Sequence, residues 1–288
     1  MNAPRYRKGD RVKHPGKLDW GLGEVLEDSA AAFVRVFFVG AGERQLSLEH
    51  VTLEVVRGDE RHHPVLDNLK MVQPGKRAPF VTLPQAISRF LERYPQGFYG
   101  EKYFREERDY KVKAHNLMLE TLGTEPFEGL VRDKNFDEIC KRALRVVNST
   151  NLLFPNEKMD LKDGLVKTGS SQLFSEALYR LLFDSDAIEA RFKGFCGALE
   201  EIGAAKWTTA TYFLFLQYPQ KHVFLKPMVT QHAAEVSRFE INYRPELNWL
   251  TYHRVLEFAE YLRKELAELK PRDMIDVQSF MWCIAPDQ

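Results

Sequence analysis

At Leu83 the spacing of the apolar residues changes, and that change constrains the fold more than any other feature of the chain. Upstream, residues 6–56 carry short runs of β-branched and aromatic side chains. The densest is Phe33-Val34-Arg35-Val36-Phe37-Phe38-Val39, followed by Gly40-Ala41-Gly42. Shorter runs at 11–14, 23–26, 45–48 and 51–56 flank it, which predicts five short strands. Strands this short, joined by glycine-containing turns, predict a small antiparallel barrel. From Leu83 onward apolar positions recur every three or four residues, the period of a helix face. Ile188, Phe192, Phe195, Leu199 and Ile202 form one stripe, with Ser185 before it as cap and Gly203 after it. A second stripe, Leu250, Leu256, Leu262, Leu266 and Leu269, ends at Pro271. Further helices are expected near 84–94, 101–122, 136–148, 171–183, 205–217, 228–236 and 272–283. Between the two patterns lie His62-His63-Pro64, Pro74-Gly75 and Pro79, which suit a linker. The expectation is an α+β multidomain chain: a barrel over 1–58, a linker over 59–82 and a larger all-α domain over 83–288.

Composition narrows the function classes. With 288 residues, 44% hydrophobic and 12% aromatic, the chain can fill two cores and is not a disordered polymer. Lys plus Arg equals Asp plus Glu at 41 each, so any polyanion-binding surface has to be local. Cys140, Cys196 and Cys283 are far apart and outside any CxxC, which argues against a disulfide framework and a structural zinc site. The histidines lack partners at metal-ligand spacing, so neither a metal nor another cofactor is expected. The opening MNAPRYRKGDRVKHPG lacks an apolar stretch, and no run approaches a membrane span, so a soluble, cytoplasmic protein without a membrane partner is expected. P-loop, HExxH, GxSxG and dinucleotide fingerprints do not occur, against NTPases, zinc peptidases, serine hydrolases and Rossmann dehydrogenases.

Gly9-Asp10-Arg11-Val12-Lys13-His14-Pro15 followed by Gly21-Leu22-Gly23-Glu24-Val25 resembles the Tudor-like SH3 barrel at the C-terminus of UvrD-type helicases. Both GDxVxHP and GxGxV are present in order, and the likeness covers residues 6–56. The resemblance implies a non-catalytic module that binds RNA polymerase, a repair helicase or duplex DNA. Gly21 and Gly23 suit the return between the first two strands. Lys8, Arg11, Lys13 and Lys17, with Arg5 and Arg7, outnumber the single acid Asp10. They form either a basic rim for phosphates or a solvated edge that discourages strand pairing.

The stretch Leu199-Glu-Glu-Ile202-Gly203-Ala-Ala-Lys206-Trp207-Thr208-Thr209, with Pro219 and Val223-Phe224-Leu225-Lys226-Pro227 after it, is similar to the helix-hairpin-helix segment of the DNA glycosylase superfamily, over residues 185–236. That resemblance implies a hairpin whose backbone N–H groups, at Gly203, Ala204 and Ala205, hold a DNA phosphate. It further implies a pocket for a flipped base and a carboxylate that steadies the charge on the sugar as the glycosidic bond breaks. Lys206 lies one residue beyond the lysine of strand-cleaving members. Lys226 stands where the superfamily has aspartate, and Glu200 or Glu201 replaces the first hairpin glycine. The departure at 226 suggests a substrate other than common damage, such as a modified base of foreign or phage DNA. Lys221 and Arg238 add local positive charge.

Each residue also has a plainer reading. Lys206 suits a surface lysine in a first helical turn, and Trp207 and Tyr212 suit either a base-stacking shelf or a core. Asp276 and Asp273, on the terminal helix, could replace the missing carboxylate or simply cap that helix, with Gln278 beside them as a hydrogen-bonding residue. The helix from Tyr99 to Lys113 interleaves acids and bases and reads as a solvated face of i,i+4 pairs. The expected protein acts on double-stranded DNA as a glycosylase, in repair or antiviral defence, with Lys206 and Lys226 in the chemistry. The rival expectation is a non-catalytic regulator that binds DNA or RNA polymerase.

Overall fold

Five strands order the first part of the chain: β1 (Arg11–Lys13), β2 (Leu22–Val25), β3 (Phe33–Phe38), β4 (Gly42–Ser47) and β5 (Glu54–Val55). They form one antiparallel sheet in the order β4-β3-β2-β1-β5, compatible with a small barrel. The computed structural model describes residues 5–30, 32–71 and 80–285. It divides into two compact units, residues 1–89 with 232–240, and residues 90–231 with 241–288.

In the first unit the alternation of β3 sends Val34, Val36 and Phe38 into a core with Tyr6, Val12, Val25, Ala41 and Leu53. The Tyr6 hydroxyl donates to the Leu53 carbonyl (3.2 Å) and accepts from its N–H (2.9 Å), tying the start of the barrel segment to its end. Phe37, on the opposite face, is buried too. The Phe80 ring meets it edge-on (5.1 Å), and the Arg238 guanidinium lies over it (4.9 Å). Two glycines have different reasons. Gly21 turns with φ +68°, as the return between β1 and β2 requires. Gly23 is inside β2, where a Cβ would come within 2.7 Å of the Phe38 and Val36 side chains.

The stretch expected as a linker is built into this unit where it is described; residues 72–79 of it lie outside the described residues. A short helix, α1 (Pro64–Asp67), starts on His63, whose Nδ1 accepts from the Val65 N–H (3.2 Å). Leu69 bridges to Phe239, and the Lys70 N–H donates to the Arg238 carbonyl (2.9 Å). The first unit therefore runs beyond residue 58 and recruits a segment distant in sequence.

The remaining chain is helical: α2 (Leu83–Arg93), α3 (Glu101–Tyr103), α4 (Asp109–Leu122), α5 (Thr124–Arg132), α6 (Phe136–Asn148), α7 (Pro155–Leu165), α8 (Ser170–Phe183), α9 (Ile188–Ile202), α10 (Trp207–Gln217), α11 (Pro227–Val236), α12 (Trp249–Glu265) and α13 (Met274–Ile284). An antiparallel sheet followed by helices is the α+β class expected. α5 and α7 escape the sequence reading because Pro126, Gly129, Pro155 and Gly164 interrupt their patterns; Pro155 is a first-turn proline, which starts a helix. Ser185 is not the cap of α9; that position belongs to Ala187. Gly203 ends α9 with φ +81°, its N–H bonded to the Glu200 carbonyl (3.0 Å) and the Ala204 N–H to that of Leu199 (2.8 Å). α10 follows at once and is buried along its whole length.

Candidate functional site

Between α3 and α4 the backbone widens into one π-helical turn, Phe104–Arg108, so the helix from 101 to 122 loses its regular register there. Tyr103, Glu107, Arg108 and Lys111, in and around that turn, are all buried. The solvated face expected here is realised outside that turn, where Lys113 Nζ donates to Asp109 (2.6 Å). Elsewhere the segment buries charged side chains: Glu107, Arg108 and Lys111. Arg108 forms a two-point pair with Asp273 (2.7 and 2.6 Å) and also donates to Asp276 (2.9 Å). The Tyr103 hydroxyl donates to Asp276 (2.6 Å), as do the Arg272 N–H (2.8 Å) and Nε (3.0 Å). Asp273 also caps α13, accepting from the Ile275 and Asp276 N–H groups (3.0 and 3.3 Å).

The other side of the π-helical turn faces a cavity of about 130 Å³, lined by Glu106, Glu107, Tyr110, Lys111, Asn151, Leu152, Lys226, Gln278 and Trp282. Its floor is buried and polar. Lys111, 1% exposed, donates to Gln278 Oε1 (2.8 Å) and Ser279 Oγ (2.8 Å) and pairs with Glu107 (3.5 Å). Burial pushes the Lys111 ammonium below its ordinary pKa, and the Glu107 carboxylate opposes that. The rim has exposed Glu106 and Asn151. The Tyr94 hydroxyl donates to Glu106 (3.2 Å) and reaches Glu107 (3.5 Å), bracing both carboxylates. Lys226, half-buried, has its Nζ between the Phe154 ring (4.5 Å) and the Trp282 ring (4.8 Å). Burial lowers its pKa, with Glu157 acting the other way. A larger groove of about 240 Å³ between α8 and α9 has charged walls, but none of its charged side chains is buried. Buried charged groups around a cavity are the costlier arrangement and the better mark of a site.

The residues singled out from sequence fall into three groups. Lys226 and Gln278 meet in the cavity. Lys206, at the cap of α10, is exposed, as is Lys221, while Ala204 is fully buried and Ala205 partly so beside Gly203. The third group is internal. Asp273 and Asp276 are enclosed by Arg108 and Arg272, so neither carboxylate faces the cavity lining. Trp207 is 3% exposed and donates to the Arg244 carbonyl (2.8 Å); Tyr212 is buried with its hydroxyl on the Val146 carbonyl (2.9 Å). Both are core side chains, because α10 has no solvent face to turn them toward. Arg238 belongs to the first unit, buried, its Nε on the Lys70 carbonyl (3.1 Å), so it adds nothing to a hairpin surface.

The basic rim is also thinner than expected. Lys8 and Lys17 are exposed, and Lys13 reaches Glu60 (3.4 Å). Arg11 is buried, paired with Glu24 and with Asp67 (3.0 Å), and donates to the Arg61 carbonyl (3.2 Å). Burial raises the Glu24 pKa, which Arg11 resists. Glu106, Glu107, Tyr110, Lys111, Asn151 and Trp282 escaped the sequence reading. The acids and bases at 106–111 look like solvated i,i+4 pairs, and only the distant partners of Lys111, Gln278 and Ser279, mark it as buried.

Residues 6–56 match a family described as proteins of unknown function (DUF3553), the same segment that the strand pattern delimits. No curated protein and no solved structure matches the chain. Among the described residues, no cluster of His, Cys, Asp and Glu is arranged to hold a metal ion, and no helix is long and apolar enough to cross a membrane.

Proposed function

We propose that the second unit is a glycosylase-like enzyme that takes an extruded base of double-stranded DNA into this cavity and cleaves its N-glycosidic bond. The first unit, read as a Tudor-like SH3 barrel, recruits it to DNA or to a protein partner. The observation that carries the reading is the company Lys226 keeps. The residue at the superfamily's aspartate position lines the same cavity as two carboxylates, Glu106 and Glu107, supplied by the π-helical turn. The missing acid thus has a replacement from another element, and Asp273 and Asp276 are not needed for it.

In this scheme the C1′–N bond breaks and the base departs with the electron pair, stabilised by the Gln278 amide above the Lys111 ammonium. Glu106, the exposed carboxylate, steadies the positive charge left on the sugar. Water then adds to C1′, giving its proton through Glu106 to the base, so that free base and an abasic sugar result. Lys226 supplies a cation for the phosphate beside the extruded nucleotide, and exposed Lys206 and Lys221 hold the flanking backbone.

The test is abasic-site formation on duplexes with plain, damaged and phage-type hypermodified bases. Glu106→Gln, on a residue with a solvent-exposed side chain, is expected to keep the fold and to lose about 100-fold or more in rate. DNA binding with a steep salt slope but no abasic site on any duplex would refute the enzyme and leave a DNA-binding regulator.

A further inference from the structure

We infer that the cavity selects a single six-membered ring, a pyrimidine carrying a carbonyl oxygen beside an N–H, and that Gln278, oriented by Lys111, is the residue that reads it. The inference rests on the proposed base pocket and adds the class of base. Size comes first. The cavity measures about 130 Å³, and a protein cavity of roughly 150 Å³ is known to hold one benzene ring. One six-membered ring therefore fills it, and the second ring of a purine would have to project through its open side.

The second argument is orientation. A glutamine amide can present either its oxygen or its NH₂ to an occupant, and the neighbours decide which. Here Lys111 Nζ, a donor, holds Oε1 at 2.8 Å, with Ser279 Oγ taking a second Lys111 proton at the same distance. Gln278 is 2% exposed, so this amide has little freedom to flip. Its Nε2 is then the end left to donate, and a donor calls for a carbonyl on the ligand. Glu106 and Glu107 bring acceptors to the same cavity, which call for an N–H. Trp282 and Tyr110 add aromatic surface. Uracil and thymine show a carbonyl next to an N–H, at N3, whereas cytosine in DNA does not, because its N3 carries no hydrogen and its N1 is bonded to the sugar. Lys111 touches no ligand in this scheme; it is a positioning residue.

The experiment titrates the full-length protein with free uracil, cytosine, adenine, guanine and unsubstituted pyrimidine. It follows the indole N–H resonance of Trp282 by NMR, assigned with Trp282→Phe. Uracil is expected to bind at least tenfold more tightly than either purine. Gln278→Met should lower uracil affinity about 5- to 150-fold, the range for losing one base-edge contact pair, and leave bare pyrimidine unchanged. Lys111→Met should likewise erase the preference for uracil over bare pyrimidine, whereas a merely structural lysine would weaken both ligands equally. Equal purine binding, an unmoved Trp282 resonance, or uracil affinity within twofold in Gln278→Met would overturn the inference. If the variants fail to fold, the wild-type ring-size panel alone decides it. Pyrimidine binding without base release from any duplex would sink the enzymatic reading and leave this inference standing. Equal release of purine bases would do the reverse.

Discussion

Asp276→Asn tests whether the terminal-helix acids hold the fold or carry the chemistry. The carboxylate is fully buried and accepts from the Tyr103 hydroxyl, from Arg108, and from both the backbone N–H and the guanidinium of Arg272. Asparagine keeps one oxygen for Tyr103 and Arg108 but turns an NH₂ toward the N–H groups of Arg272, setting donors against donors. Breaking a buried ion pair costs about 3–5 kcal/mol. Arg108 keeps Asp273, and the Arg272 side chain is partly open to water, so the lower end applies, about 3 kcal/mol. With a urea m-value of about 2 kcal/mol/M, the midpoint should fall by about 1.5 M, read by near-UV circular dichroism from the ring cluster of Phe90, Phe98 and Tyr103. Base release by the folded variant at low temperature should stay within about threefold of wild type, because the side chain does not line the cavity. A midpoint shift under 0.5 M (roughly 1 kcal/mol), or a hundredfold loss of rate in a folded variant, would refute the assignment of Asp276 to structure.

Three further outcomes follow from local chemistry. Thr209 Oγ1 is buried in α10 without a hydrogen-bond partner among the described residues, so Thr209→Val, of nearly the same shape, should raise stability by about 1 kcal/mol in urea unfolding; a loss of stability would mean the hydroxyl has a partner. Burial, with Arg191 and Lys221 nearby, lowers the His222 pKa to about 4. Above the ordinary value near 6.5 the histidine is neutral folded or unfolded, whereas from there down to about 4 the unfolded chain takes up the proton first, so stability falls with pH by up to ~3 kcal/mol. His222→Phe should flatten that acid limb and leave the pH dependence above 7.5 unaltered, and an unchanged slope between pH 4 and 6.5 would contradict the shift. Lys206→Ala and Lys221→Ala, both at exposed positions, should leave stability within about 0.5 kcal/mol, weaken DNA binding uniformly across sequences and each reduce the salt slope by about one; a sequence-dependent loss would instead mean base contact.

What the sequence revealed depended on how local each cause was. The strand runs at 11–13, 33–38 and 42–47 and the helix 136–148 lie close to where residue pattern puts them, since alternation and periodicity are read within one element. Gly203 was legible for the same reason: a helix end needs a left-handed residue at its own position. Arg11 and Arg238 were not. Their charge suggests a surface, yet their partners, Glu24 and Asp67 for one and the Lys70 carbonyl and Phe37 ring for the other, lie 13 to 201 positions away.

The cavity carries the same lesson to the chemistry. Glu107 and Lys111 are four residues apart and share a face of a regular helix, so local spacing reads them as one more solvated i,i+4 pair. What that spacing does not contain is the distant partner: Lys111 donates to Gln278 of α13, 167 positions along the chain. A sequence scan for a catalytic acid finds Lys226 where the resemblance expects one and turns to Asp273 and Asp276, which the structure encloses with Arg108 and Arg272. In the function proposed above, Glu106 and Glu107 would meet that electrostatic need from a segment more than a hundred residues earlier, because a cavity asks only which charges line it. Lys226 then ceases to be an obstacle to glycosidic chemistry. With two carboxylates around the cavity, a cation at its rim is what keeps the site from repelling the phosphates of the strand it would have to hold.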